Sequence, residues 1–174
     1  MGDAVTFSDV WNAVKDVATL CRNSEHVAMP NYAFVAPAGK QPMDLNWDHQ
    51  GDRVEHPLQL TYRWDTYASA HTDGLFSPTV VRVGVQWRFG GTMDGHGLFL
   101  HEAALFCVAD STCVGATVDA TGSFSGSPYM TNGVAQLEGN ITLTIGEVGG
   151  AMHVQDLHFG ILCAGDGAGY IRQV

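Results

Sequence analysis

Thr79-Val80-Val81-Arg82-Val83-Gly84-Val85-Gln86-Trp87-Arg88-Phe89 is the stretch that decides the fold class. Val81, Val83, Val85, Trp87 and Phe89 alternate with Arg82, Gly84, Gln86 and Arg88. A period of two sends successive side chains to opposite sides of an extended chain, so the segment reads as a strand with one dry and one wet face. On a helix the same residues would be scattered around the axis.

The same alternation recurs on both sides. Upstream, Leu58, Leu60, Tyr62 and Trp64 alternate with Gln59, Thr61, Arg63 and Asp65. Downstream, Ala135, Leu137, Ile141, Leu143 and Ile145 alternate with Gln136, Glu138, Asn140, Thr142 and Thr144. Further strands are expected near 98–108, 113–121 and 151–163, with turns at 90–97 and 122–133. Gly165 to Gly169 reads as a turn after the last strand. Many strands at this spacing predict a mainly β protein, an antiparallel β-barrel or β-sandwich.

Residues 6–22 carry a different period. Phe7, Val10, Trp11, Val14, Val17, Ala18 and Cys21 recur at three- and four-residue steps, which predicts one N-terminal amphipathic helix. Thr6 stands as its N-cap. Residues 24–56 have no sustained period and are punctuated by Pro30, Pro37 and Pro42, with one short strand expected within 31–36. The chain is thus expected to be a single domain over 1–174: helix 6–22, irregular 24–56, antiparallel strands 57–174.

The order of one helix followed by strands resembles the architecture of lipocalin-like barrels, of β-barrel cyclases of natural-product pathways and of actinoporin-like cytolysins. The resemblance is architectural and assigns no residue roles.

Charge and composition narrow the partners. The net charge is −10, and the two lysines, Lys15 and Lys40, and the scattered arginines form no basic cluster. Nucleic acid and anionic membranes need a positive patch, so neither is expected as a partner. No stretch approaches the apolar length of a membrane helix, so no integral membrane segment is expected. The start lacks a basic-then-apolar leader, which favours a cytoplasmic location. Met1-Gly2 with Thr6 matches a short myristoylation pattern, and Asn140-Ile141-Thr142 a glycosylation sequon, both readily met by chance. Homo-oligomerisation is compatible with everything above. Cys21, Cys107, Cys113 and Cys163 match no zinc spacing. Strand parity puts Cys107 inward and Cys113 outward, which disfavours a hairpin disulfide between them.

Three constellations could carry chemistry. Asp44, Asn46, Asp48, Asp52 and Glu55 occupy positions 1, 3, 5, 9 and 12 of a calcium loop, where short oxygen-bearing side chains converge on one ion. Position 6, where the sharp turn wants glycine, is His49, so a solvated acidic loop is the plainer reading. Asp156 and His158 share one strand face and read as surface. His101 is the third. An index sum that pairs it with Trp87 turns it inward and leaves Glu102 outside, beside Gln86 and Arg88; the other parity would bury a carboxylate among valines. An inward imidazole is a candidate general base or polar anchor, against the plainer reading of a core histidine.

From these residues the expected function is a small-molecule-binding domain. Its apolar interior would be lined by Tyr62, Trp64, Val83, Val85, Trp87 and Phe89, with His101 as the polar group. One alternative is a cofactor-independent enzyme of cyclase or isomerase type in that pocket, with His101 as the catalytic group. The other is a surface module for carbohydrate or protein, with calcium in the acidic loop and exposed aromatics such as Trp47 and Tyr67 as contacts.

Overall fold

The computed structural model describes residues 18–22, 25–26, 32–47, 61–72, 79–111, 117–147 and 153–174. Ten strands follow in order: β1 (Ala18–Arg22), β2 (Glu25–His26), β3 (Ala33–Val35), β4 (Thr61–Thr72), β5 (Thr79–Met93), β6 (His96–Ser111), β7 (Thr117–Thr131), β8 (Val134–Glu147), β9 (His153–Ala164) and β10 (Gly169–Gln173). A 3-10 turn, Pro42–Asp44, follows β3. The described residues contain no helix long and apolar enough to cross a membrane.

Two antiparallel meanders make up the fold. In one, β4 pairs with β5 and β5 with β6, and β3 lies along the far edge of β6. In the other, β7, β8, β9 and β10 pair in sequence, with β1 and β2 added beyond β7. The meanders join through one parallel bridge, Leu98 to Val134. Pairings among the described residues do not close into a ring, so the barrel alternative is not met.

Tight turns explain why the long strands run back on themselves. Asp94 and Gly95 have φ of 50° and 75°, and Asn132 and Gly133 have 51° and 78°. Two consecutive residues at positive φ match the right-handed twist of the flanking strands, and Asp-Gly and Asn-Gly tolerate that conformation best. The expected turns at 90–97 and 122–133 therefore shrink to two residues each, and the rest of both segments is strand.

The dry faces of β5, β8 and β9 meet in one core. Val81, Val83, Val85 and Trp87 pack with Leu137, Ile141, Leu143, Phe159 and Ile161, all essentially without exposure. Each such side chain contributes about 1.5–3 kcal/mol of burial. The alternate positions Arg82 and Glu138 are exposed, as the period of two requires.

The seam between the meanders is closed by backbone. Gly90 N donates to Gly165 O (2.9 Å) and Leu98 N to Gly133 O (2.8 Å). Trp87 Nε1 reaches across to Ala164 O (3.0 Å). At Gly169 a Cβ would stand 2.7 Å from the Trp87 ring, and at Gly167 2.7 Å from the Phe89 ring. The glycine-rich stretch that reads as a terminal turn is thus the surface on which two aromatics lie, and it leads into a further strand, β10.

The helical period does not hold to residue 22. Ala18–Arg22 is strand, paired with β7 at Ala18–Gly122, Thr19–Thr121 and Cys21–Ala120. Pairing with the open edge of β7 satisfies backbone groups that a local helix would have satisfied internally, so tertiary context overrides the pattern. Residues 6–17 lie outside the described residues.

Candidate functional site

A bulge in the β5–β6 ladder builds the candidate site. From Val81–Ala109 to Gln86–Ala104 the ladder is regular; the next pair is Arg88–His101. Trp87 therefore faces two residues of β6, Glu102 and Ala103. Glu102 takes up the extra length at φ 52°, in the left-handed region. A charged residue held there costs on the order of 1 kcal/mol or more, and such outliers collect where the surroundings use them.

The bulge reverses parity, and with it the expected place of His101. Directly opposed residues share a face, and consecutive residues of β5 alternate. His101 thus stands on the face of Arg88, not on the core face of Trp87. The inward orientation expected from a regular ladder is incorrect, because one inserted residue moves every position beyond it to the other face. The regular part is also displaced from expectation: Val85 opposes Leu105, and Val83 opposes Cys107.

On that outer face four groups converge. Arg88 Nε and Glu102 Oε2 are 2.8 Å apart, an ion pair by distance whose N–H points off the line of a hydrogen bond. His101 Nδ1 is 4.0 Å from Glu102 Oε1. Trp47 lies over the imidazole with ring centroids 4.1 Å apart and planes tilted by 49°. The indole N–H of Trp47 donates to Pro42 O (2.7 Å). The neighbouring Asn46 exchanges backbone bonds with Thr92 (2.8 and 2.6 Å), which pins the segment to the end of β5. Gly91 provides the seat: a Cβ there would stand 2.7 Å from the Trp47 ring.

The electrostatics favour a neutral imidazole. Burial lowers the His101 pKa below its usual 6.5; the Glu102 carboxylate opposes this and the Arg88 guanidinium adds to it. The carboxylate beside Nδ1 favours the proton there, so Nε2 presents a lone pair. Nε2 is buried and has no hydrogen-bond partner among the described residues. Leaving such an atom unsatisfied costs about 1–3 kcal/mol.

The other expected site residues divide. Val83, Val85 and Trp87 are core, and Phe89 packs half-buried against it. In register Tyr62 stands across from Arg88 and Trp64 across from Gln86, not across from Trp87 or Val85. Trp47, expected as an exposed contact, is 7% exposed. Tyr67 pairs in register with Val83.

Of the acidic loop, Asp44 closes the 3-10 turn, its Oδ2 accepting from Gln41 N at 2.7 Å. Asn46 is held by its backbone as described, and Asp48, Asp52 and Glu55 lie outside the described residues. Cys107 is a buried thiol on β6, and Cys113 lies outside the described residues. Asp156 accepts from Thr144 Oγ1 (2.8 Å), and His158 Nδ1 lies 3.3 Å from Thr142 Oγ1, both on the exposed face. The sequon residue Asn140 is within β8 and engages Ser123.

Sequence reasoning placed Glu102 near Arg88 but missed Trp47 as the cover of His101. Gly90-Gly91 at the end of an otherwise regular strand was the available signal, since paired glycines in a strand mark a close approach. Comparison with protein-family models, with curated proteins and with solved structures finds no match to this chain.

Proposed function

We propose that this chain is a small-molecule-binding protein whose polar anchor is His101, on the outer face of the β5–β6 hairpin beneath Trp47. The observation that carries this reading is the buried, unpartnered Nε2. A packed core histidine would have found a carbonyl or hydroxyl. This one sits beside a strained, ion-paired Glu102 and under the Trp47 indole. A ligand hydroxyl or N–H that donates to Nε2 recovers the 1–3 kcal/mol, or about 5- to 150-fold in affinity. The rim of Arg88 and Glu102 selects for polar substituents, and Trp47 supplies the apolar contact.

The test is a fragment screen read by the imidazole ¹⁵N resonances of His101. Fragments that move Nε2 should lose roughly 5- to 150-fold in affinity for a His101→Phe variant. That variant keeps the ring contact with Trp47 and should be at least as stable as the wild type, since it removes an unsatisfied polar atom. A destabilised His101→Phe, or fragments indifferent to it, would refute the anchor.

A cofactor-independent enzyme in the same site is the second reading. What favours it is the depressed pKa, which keeps the imidazole available as a base at neutral pH. Turnover of a bound carbon acid, lost in His101→Gln, would favour it over binding alone.

A further inference from the structure

The outer face of the second meander carries a different set of groups. We infer that the exposed face of β7–β10 is a second binding site, for a neutral oligosaccharide. Its rows follow from register. Glu138 stands across from Leu162, and Leu162 across from Tyr170; Asn140 stands across from Gly160, and Gly160 across from Arg172. The alternate positions on β8 and β9, such as Ile141 and Phe159, are core, so these rows look outward.

The face is pre-organised. Tyr129, reaching the row from β7, donates its hydroxyl to Glu138 Oε1 at 3.0 Å. The Arg172 guanidinium lies 4.8 Å from the centre of the Tyr170 ring, which holds the ring in place. Asn140 uses its amide oxygen on Ser123 Oγ (3.3 Å), which leaves its N–H donors for an external acceptor. Tyr170 remains 37% exposed. Gly160 contributes no side chain, and Val174 lies against its place, its Cγ1 3.5 Å from where a Cβ would stand, so the face between Leu162 and Arg172 is shallow and partly apolar.

The chemistry selects the ligand. Two tyrosine rings beside a carboxylate, an amide and a guanidinium offer flat apolar faces next to planar hydrogen-bonding groups. A pyranose has the matching halves: an apolar C–H face and a rim of hydroxyls that both donate and accept. A purely apolar ligand would strip water from Glu138 and Arg172 without replacing it. A polyanion would meet a chain of net charge −10. Four strands at their usual spacing span about 14 Å, which suits several linked sugar rings better than one.

The experiment is isothermal titration of the full chain with cellohexaose, laminarihexaose, mannohexaose and xylohexaose, and with heparin as the polyanion. Binding of at least one neutral hexasaccharide, weakened about tenfold or more in Tyr170→Ala and in Glu138→Ala, is the expected result. Both positions are on the exposed face, and circular dichroism confirms that each variant folds. His101→Phe should bind the same sugar unchanged, which separates this site from the His101 site. Absence of binding by all four sugars, equal binding by both face variants, binding of heparin alone, or loss of sugar binding in His101→Phe would each overturn the inference.

Discussion

Gly165→Ala tests how the two meanders are held together. Gly165 is buried, and its backbone bonds to Gly90 on one side and Ala135 on the other. An added Cβ would overlap the Leu98 carbonyl group and stand 2.9 Å from the Phe99 nitrogen. These are backbone atoms of β6, so no side chain can swing away. The meanders must separate locally. Two backbone hydrogen bonds then weaken, at about 1 kcal/mol each. Overpacking adds about 1–3 kcal/mol. The total of about 3–5 kcal/mol is about a fifth or more of the stability of an ordinary domain. For a chain of this size it lowers the melting temperature by roughly 6–20 °C. Gly95→Ala is the control. Gly95 has φ 75° and nothing within 4 Å of its added Cβ, so only local strain of about 1–2 kcal/mol applies. Urea unfolding followed by tryptophan fluorescence, with thermal melting by circular dichroism, measures both. A Gly165→Ala protein no less stable than Gly95→Ala would refute the claim that backbone contact closes the seam.

Other outcomes follow from single groups. Trp87→Phe removes one of two donors to Ala164 O, the Gly167 N–H remaining, and should cost about 0.5–1.5 kcal/mol in urea unfolding through that lost hydrogen bond. Acidification should destabilise the fold through His101. Its folded pKa lies below 6.5, so the unfolded chain binds the proton better; the stability is complete above about pH 6.5 and declines as pH falls toward the folded value. The wild type should therefore lose more stability than His101→Phe between about pH 7.5 and about pH 5.5. Gly91→Ala should dislodge Trp47 from its place in the core, seen as a changed His101 ring environment by NMR.

Much of the fold was legible because alternation is a local signal. Val81 to Phe89 and Leu137 to Ile145 fall in strands with the dry face where the pattern puts it. The tight turns were legible too, in Asp94-Gly95 and Asn132-Gly133, although a broad glycine-rich reading hides them. Two things were not local. The strand at Ala18–Arg22 is made by the edge of β7, a hundred residues away in the chain (by about that order, since loop closure over such lengths is only weakly penalised). The bulge at Glu102 is set by its contact with Arg88 and by the segment bearing Trp47, and nothing in the residues 98–108 marks where the extra residue falls. That single insertion decides on which side His101 stands, so the candidate site moved from the interior to the outer face while the surrounding strands stayed as read.

The Leu98–Val134 junction also bears on how the chain reaches its native state. Each meander contains one hairpin closed by a two-residue turn, β5–β6 at Asp94-Gly95 and β7–β8 at Asn132-Gly133, and such hairpins form in about 1–10 μs. The junction instead unites segments far apart along the polypeptide, and little ladder exists to guide them. Docking of two preformed halves is then the slow step. Trp87, whose indole reaches Ala164 only after docking, is a built-in reporter of that moment.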